Sequence, residues 1–216
     1  MYVPSSFQED DPCVLHALMQ ANGFGLLVTV EDGLPNASHL PILLDPTRGP
    51  KGALFGHLAR ANPQWRSFDG KSPALAVFRG PHAYVSPRWY SGPRNVPTWD
   101  YVAVHARGAP RVIESRDMVR NLLGRTMTFY ESAFPEPRGF DSIPPDYAEG
   151  LLDAIVAFEL PITRVVGARK LSQNKGALDR ARVAEGLRAT GDAAAARVAA
   201  LVQETLAATS APEPAA

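Results

Sequence analysis

Short apolar segments that alternate with polar residues, separated by turn-forming residues at hairpin spacing, constrain this chain more than any other feature. The clearest case is GLLVTV at residues 25–30, followed by Asp32-Gly33 and by a second alternating segment over residues 35–44. Asp-Gly between two such segments is a strong hairpin signal. Since no helical pattern separates these early strands, they are expected to pair antiparallel and not as βαβ units. The sequence therefore predicts an antiparallel barrel.

Further elements follow from periodicity and from capping residues. Strands are predicted over residues 51–57, 73–79, 82–86, 98–107, 110–113 and 157–166, with Gly80-Pro81 breaking the segment between residues 79 and 82. Helices are predicted over residues 13–22 behind an Asp11-Pro12 start, from Ser115, over residues 145–155 and from Ser172 onward. We expect one α+β, β-rich domain over residues 1–190, an Ala-rich helix over 191–209 and a disordered tail over 210–216.

Charge and composition exclude several classes of protein. Lys plus Arg and Asp plus Glu each number 22, so the net charge is zero, which argues against a purely electrostatic nucleic-acid binder. The single cysteine, Cys13, excludes an internal disulfide and is expected to be buried in the first helix. The five histidines show no close ligand spacing, so no metal site is expected. Without a membrane span or a signal peptide pattern, the chain is expected to be soluble and cytoplasmic.

The segment GHLARANPQW at residues 56–65 combines a strand end with a predicted helix start near Asn62-Pro63. Arg60 and the backbone N–H groups around it could hold a phosphate, since a guanidinium and a helix N-terminus both attract anions. The alternative is a plain connection in which Asn62 only caps the helix. The segment by itself leaves both interpretations open.

The segment GPHAYVSPRWYSGPRNVPTWDY at residues 80–101 is dense in aromatic residues and proline. Its aromatic residues are Tyr84, Trp89, Tyr90, Trp99 and Tyr101. Aromatic side chains on a rigid loop can form a platform for a planar ligand or a protein interface. They can equally well only cover the mouth of the barrel.

The segment ARKLSQNKGALDR at residues 168–180 places Lys170, Ser172 and Gln173 after a predicted strand. These side chains could contact an anionic or amide-rich ligand, or Ser172 could simply cap the next helix. The sequence contains no nucleophile elbow, P-loop or dinucleotide fingerprint. The common hydrolase and nucleotide-triphosphate mechanisms are therefore not supported.

Taken together, five blocks in this chain resemble the PaiB family, which is described as FMN-binding negative transcriptional regulators. The blocks are MYVPSSF, GHLARANPQW, GPHAYVSPRWY, VPTWDYVAVHARG and KLSQNKGALDR. They occur in family order from residue 1 to about residue 188, so the resemblance covers all but the Ala-rich tail. One departure is Asp100, where the family block has asparagine.

The resemblance implies the FMN-binding split β-barrel fold, a homodimer, and a flavin at the subunit interface. It implies contacts to the flavin ring from His39, Leu40 and Pro41, and contacts to the ribityl chain and phosphate from His57, Leu58, Arg60 and Asn62. From the partner subunit it implies Trp99 and Tyr101, together with Lys170, Ser172 and Gln173. His57 would replace the hydroxyl residue that other split barrels often have at this turn. His57 and Tyr101 are also the nearest candidates for an acid or base.

Several functions remain open at this level. The chain can be a transcriptional regulator or a flavin-dependent redox or sensor protein. It can also be an oxidoreductase of the pyridoxamine-phosphate-oxidase-like type. A haem-binding split barrel is a further alternative, because five histidines allow an axial ligand. Direct DNA contact would need a basic face from the tail and from Arg88, Arg94 and Arg107.

Overall fold

The predicted hairpin at Asp32-Gly33 is the first element of the sheet in a computed structural model that describes residues 1–210. Phe24–Glu31 and Leu34–Asp45 pair antiparallel, with Glu31 opposite Leu34. The two turn residues have φ values of 51° and 79°, the left-handed conformation that a type I′ turn requires. The hairpin prediction is confirmed.

Eight strands and five α-helices form the described chain. The strands are β1 Gln8–Glu9, β2 Phe24–Glu31, β3 Leu34–Asp45, β4 Ala53–Ala59, β5 Ala74–Val85, β6 Thr98–Gly108, β7 Arg111–Val112 and β8 Ile155–Lys170. The helices are α1 Pro12–Ala21, α2 Arg116–Glu131, α3 Pro145–Ala154, α4 Ala177–Ala189 and α5 Ala193–Ser210. Most predicted elements are present within a few residues of their expected bounds. The predicted disordered tail lies outside the described residues, apart from Ser210 at the end of α5.

The strands pair in the order β1-β8-β4-β3-β2-β5-β6, and β7 joins β8. An additional pairing of β8 with β6 closes the path into a ring of six strands. The pairs β1–β8, β2–β3, β2–β5, β3–β4, β4–β8 and β7–β8 are antiparallel. This is the strand connectivity of an antiparallel barrel, which agrees with the α+β class predicted from the sequence. Among the helices of residues 1–210, none combines the length and apolar character required to cross a bilayer.

The chain forms two units. Of the described residues, the first unit contains 1–15, 79–104 and those from 166 onward, and the second contains 16–78 and 105–165. In the second unit, Leu43 and Phe55 on the strands share a buried core with Val119 and Leu122 of α2 and Leu152 of α3. In the first unit, α4 and α5 pack against each other, and Leu187 of α4 and Val198 of α5 are both fully buried.

Three expectations are corrected by the structure. Gly80 and Pro81 do not break a strand, because β5 continues through them; a Cβ on Gly80 would lie 3.2 Å from Val102, and the φ of proline is compatible with an extended backbone. Cys13 is exposed, since it lies in the first turn of α1, where its N–H binds the cap residue Asp11. Ser172 caps no helix, because α4 begins five residues later, at Ala177.

Candidate functional site

The implied flavin residues fall into two groups, one in each unit. The second unit contains the group from β3 and β4, namely His39, Leu40, Pro41, His57, Leu58, Arg60 and Asn62. The first unit contains Trp99, Tyr101, Lys170, Ser172 and Gln173.

On β3, His39 is exposed and Leu40 is buried, as the alternation of a strand requires. The His39 ring stacks on Phe24 of β2, with ring centroids 6.2 Å apart and an interplanar angle of 24°. Pro41 is half-buried on the same strand. An exposed histidine beside an exposed aromatic ring provides a surface on which a planar group can pack.

On β4, His57 is half-buried and Leu58 is buried. Burial lowers the pKa of His57 below its ordinary value, so its ring is neutral at neutral pH. Its Nδ1 atom is buried and has no hydrogen-bond partner among residues 1–210. Because an unpaired buried ring nitrogen costs free energy, this atom is a candidate for contact with a group that the protein binds.

Arg60 follows β4 and binds the C-terminal end of α3. Its Nε donates to the Asp153 carbonyl at 2.7 Å, one Nη donates to the Ile155 carbonyl at 2.7 Å, and its backbone N–H donates to Ala154. These carbonyls lie at the negative end of the helix dipole, where a guanidinium is stabilising. The side chain is nevertheless exposed, so its outer edge faces solvent.

Asn62 caps a short 3₁₀ helix, Pro63–Ser67, which begins where the sequence predicted a helix. Its Oδ1 accepts from the Gln64 N–H at 3.0 Å, and its Nδ2 donates to the Ser38 hydroxyl at 2.9 Å. The cap function of Asn62 is thus present, and it uses both ends of the side-chain amide. A 3₁₀ helix this short contributes no helix-terminal anion site of its own.

Gln64, which the sequence analysis did not single out, is fully buried beneath this turn. Its Nε2 lies 3.1 Å from the Leu27 carbonyl, 3.1 Å from the Thr29 hydroxyl and 3.2 Å from the Asn36 carbonyl. The turn after β4 is therefore held to the β2–β3 hairpin by this buried amide as well as by the bond from Asn62 to Ser38. The glutamine of NPQW was visible in the sequence, but its partners are distant in the chain and could not be identified.

In the first unit, Lys170 and Ser172 form a buried polar network with Asp100. The Ser172 hydroxyl donates to Asp100 Oδ2 at 2.7 Å, and Lys170 Nζ lies 3.7 Å from Asp100 Oδ1. Lys170 also donates to the Thr98 hydroxyl and to the Trp99 carbonyl. Ser172 takes the left-handed conformation, with φ of 60°, to make its contact. The network joins two of the sequence blocks to each other.

Gln173 closes the turn after β8. Its Oε1 accepts from the Leu171 N–H at 2.7 Å, and its Nε2 donates to the Arg169 carbonyl at 2.5 Å. Both ends of this amide, like the polar atoms of Lys170 and Ser172, are therefore engaged inside the unit. Trp99, by contrast, has an exposed side chain, and Tyr101 is half-buried.

Burial raises the pKa of Asp100, although the Ser172 hydrogen bond and the Lys170 charge oppose this rise. A raised pKa in the folded state means that this carboxyl stabilises the fold most at acid pH. That contribution is lost as the pH rises through the folded pKa. Asp100→Asn is therefore expected to increase the free energy of unfolding at pH 7, with a smaller difference near pH 4, in urea denaturation.

The matched control is Asp179→Asn in the same unit. Two hydrogen bonds from Ser91 hold the pKa of Asp179 below its usual value, so the stabilisation from this carboxyl is lost as the pH falls. The pH dependence of the two variants should therefore have opposite signs. Parallel pH profiles for the two variants would contradict the assignment of Asp100.

Comparison with known proteins connects this geometry to one family. The family profile described as "Putative FMN-binding domain" matches residues 1–164. The chain is 35% identical over 206 residues to the protease synthase and sporulation protein PAI 2 of Bacillus subtilis, covering 95% of this chain and 98% of that protein.

Solved structures show the same fold at low sequence identity. The FAD and haem binding protein from Mycobacterium smegmatis matches with a TM-score of 0.55 and 17% identity, covering 76% of this chain and 73% of that one. The flavocytochrome Anf3 from Azotobacter vinelandii matches with a TM-score of 0.56 and 10% identity, covering 76% and 69%. With the strand connectivity, the family match and the PAI 2 similarity in agreement, this chain belongs to the PaiB-like FMN-binding family and has its split β-barrel fold.

Proposed function

We propose that this chain holds FMN at the turn after β4, with the phosphate at Arg60 and the flavin ring along β3. The observation that carries this proposal is the Arg60 side chain, which is exposed and yet fixed by two carbonyls of the α3 end. A guanidinium held in place loses little freedom when it binds an anion. Its planar fork suits the oxygen atoms of a phosphate.

The residues around Arg60 fit such a ligand. The unpaired His57 Nδ1 can make one hydrogen bond to a ribityl hydroxyl, as acceptor or donor according to its tautomer. His39 and Phe24 supply an exposed aromatic surface on the hairpin. These groups offer a cation, a polar ring atom and an apolar surface, which match the three parts of FMN.

Bound FMN would supply electron-transfer chemistry, and the protein would supply position and electrostatics. Arg60 would neutralise phosphate charge, while Asn62 keeps the turn closed through Ser38 and Gln64. The neutral His57 ring would orient a hydroxyl without adding charge. Neither group needs to transfer a proton in this arrangement, so we assign both to binding.

The test is an absorbance spectrum between about 300 and 500 nm, followed by titration of the full chain with FMN. Arg60→Ala should weaken FMN binding by about tenfold or more, since it removes a charge-assisted contact. Arg66→Ala, an exposed arginine in the neighbouring 3₁₀ helix, is the matched control and should bind FMN like the wild type. Because Arg60 also contacts α3, circular dichroism must show that the variant is folded.

A wild-type chain that shows no flavin bands and no micromolar binding would refute this proposal. So would equal losses of affinity in Arg60→Ala and Arg66→Ala. If flavin is absent, haem titration is the next measurement, because the Mycobacterium smegmatis protein named above binds haem as well as FAD. A Soret band that disappears in a single His→Ala variant would then favour the haem alternative.

We also propose that the chain acts as a homodimer, with Tyr101 of a second copy beside the flavin. Phe24 and Val30, two exposed apolar side chains on one face of β2, support a face that another copy covers. We assign Lys170, Ser172 and Gln173 to positioning β6 and β8, since their polar atoms are engaged. Sedimentation of the full chain should give twice the monomer mass.

For the biological role we propose negative regulation of transcription, on the resemblance of the five sequence blocks to the PaiB family. The zero net charge gives no general attraction to DNA, so direct contact would need a local basic face. A DNA shift with a steep salt dependence would support direct binding. Absence of a shift at low salt would favour a redox or flavin-sensing role without DNA contact.

A further inference from the structure

The first unit contains a groove of about 500 Å³ that the flavin proposal does not use. Its floor is aromatic, and its other wall is the turn between α4 and α5. The lining side chains include His82, Tyr84, Arg88, Trp89, Trp99 and Asp192. The volume lies within the range of small-molecule sites in proteins.

The aromatic rings of the floor are exposed and contact one another. Trp99 is 54% exposed and Tyr84 is 48% exposed, although both lie on strands. The Trp99 ring stacks with His82 at 6.1 Å and 27°, and meets Tyr84 edge-on at 6.2 Å and 74°. Large aromatic rings left open in such a cluster favour stacking with a planar ligand.

Hydrogen bonds and close packing fix the backbone on which the aromatic floor of the groove is built. Lys170 binds the Trp99 carbonyl, and the next residue, Asp100, is locked by Ser172. On the loop side, Trp89 packs so closely on α4 that a Cβ on Gly186 would lie 2.3 Å from its ring. Ser91 is tied to Asp179 by bonds of 2.8 and 2.7 Å. A platform fixed in this way can bind a ligand with little loss of side-chain freedom.

The charge of the groove points to an anionic ligand. Within the described residues, no carboxylate lies within ion-pairing distance of the exposed Arg88 guanidinium. The one acidic side chain in the lining, Asp192, uses its Oδ1 to accept the Ala194 N–H at 2.8 Å. The Asp192 charge is therefore partly compensated by the start of α5, whereas Arg88 keeps its full donor capacity.

We propose that this groove binds a planar aromatic molecule that bears a carboxylate or phosphate, in addition to the flavin. The aromatic part stacks on Trp99 and Tyr84, and the anionic group binds Arg88. The resemblance assigned Trp99 to the flavin, so the proposal gives this residue a different ligand and rests on Arg60 holding the FMN phosphate. The groove also uses residues 190–195, beyond the 1–164 match of the family profile.

The test titrates the full chain with 2-naphthoate and with its neutral analogue 2-naphthalenemethanol, following tryptophan fluorescence. Naphthoate should bind about tenfold or more tightly than the alcohol, because only the anion engages Arg88. Arg88→Gln should remove this difference, whereas Arg94→Gln, an exposed arginine of the same loop outside the groove, should preserve it. Trp99→Ala should weaken the binding of both probes by about tenfold.

Equal affinity of the wild-type chain for the two probes would overturn the proposal. So would equal losses of naphthoate affinity in Arg88→Gln and Arg94→Gln. A third contrary result is a wild-type chain that does not bind naphthoate, together with a Trp99→Ala variant that converts a dimer to a monomer. The titration is run on flavin-free and FMN-saturated protein. Binding of naphthoate alongside FMN supports a second ligand. If naphthoate and FMN displace each other, the groove is part of the flavin site and the proposal fails. Failure of FMN binding is seen in its own titration and leaves the naphthoate result interpretable.

Discussion

Replacing Gly108 with alanine is expected to lower the free energy of unfolding by about 3 kcal/mol, the upper part of the range for overpacking a buried site. Gly108 is the last residue of β6 and is buried. An added Cβ would lie 2.1 Å from the Pro161 carbonyl oxygen and 2.5 Å from a Leu160 methyl carbon. The oxygen belongs to the backbone of β8, so no side-chain rotation can relieve the clash. Urea denaturation of the full chain measures the loss.

Gly150→Ala is the matched control for Gly108→Ala. Gly150 lies in α3, and beyond its chain neighbours and the nearby helix backbone no described atom lies within 4 Å of the position where its Cβ would be placed. Alanine in a helix interior is expected to stabilise by about 0.5–1 kcal/mol, since glycine loses more backbone entropy on folding. A Gly108→Ala variant as stable as Gly150→Ala would show that β6 and β8 are less closely packed than described.

The second large effect is expected at Glu159 of β8, whose side chain is 4% exposed and binds two arginines. Arg48 Nε donates to it at 2.5 Å, and Arg111 Nη2 donates at 2.9 Å. Removing both partners in an Arg48→Ala/Arg111→Ala variant would leave a buried carboxylate without a counter-charge. We expect a loss of about 2 kcal/mol, below the usual cost of breaking a buried pair because both guanidiniums are half exposed.

Burial alone would raise the pKa of Glu159, but the hydrogen bonds from Arg48 and Arg111 outweigh it and hold the pKa below its usual value. Stability from this carboxyl is therefore present at neutral pH and is lost as the pH falls through the folded pKa. The double variant removes that dependence, so its deficit relative to wild type should shrink in acid. Adding Glu159→Gln should restore part of the loss at pH 7. If it restores nothing, the loss comes from packing, such as that of Arg48 on the Phe55 ring, and not from charge.

The elements set by neighbouring residues were the ones that the sequence could predict. Asp11-Pro12 starts α1, and the Asp11 carboxylate accepts the Cys13 N–H at 2.8 Å. Ser115 caps α2 through Met118, as its position before an amphipathic segment predicts. Capping and turn formation depend on residues within three or four positions of each other, so sequence spacing is sufficient to recognise them.

Features set by distant residues could not be derived in this way. The local sequence predicts that Ser172 caps a helix, but in the structure its hydroxyl binds the buried Asp100, which lies 72 residues earlier. The local sequence predicts a strand break at Gly80-Pro81. In the structure β5 continues through both residues, and Gly80 packs closely against Val102. In both cases the conformation follows a contact between residues that are distant in the chain, and not the preference of the local sequence.

The candidate site likewise has features that the sequence could predict and features that it could not. The resemblance of the sequence blocks indicated the family and the segment around Arg60, and the family comparison confirmed the family. The residue roles inside that segment stay predictions. The attachment of Arg60 to α3 could not be derived from the sequence, because the carbonyls that Arg60 contacts lie more than 90 residues away. The groove at Trp99 was visible only as a dense aromatic segment, since its second wall is contributed by the turn at residues 190–195.

The attachment of Arg60 to the end of α3 has a consequence for which substitutions this position can accept. A guanidinium has two edges, so one can remain on the helix carbonyls while the other faces outward. A lysine carries its three donors on one nitrogen at the tip of a flexible chain, so it has no second planar edge to offer an anion while it binds both helix carbonyls. The proposed FMN site therefore depends on the planar shape of the Arg60 cation as well as on its charge.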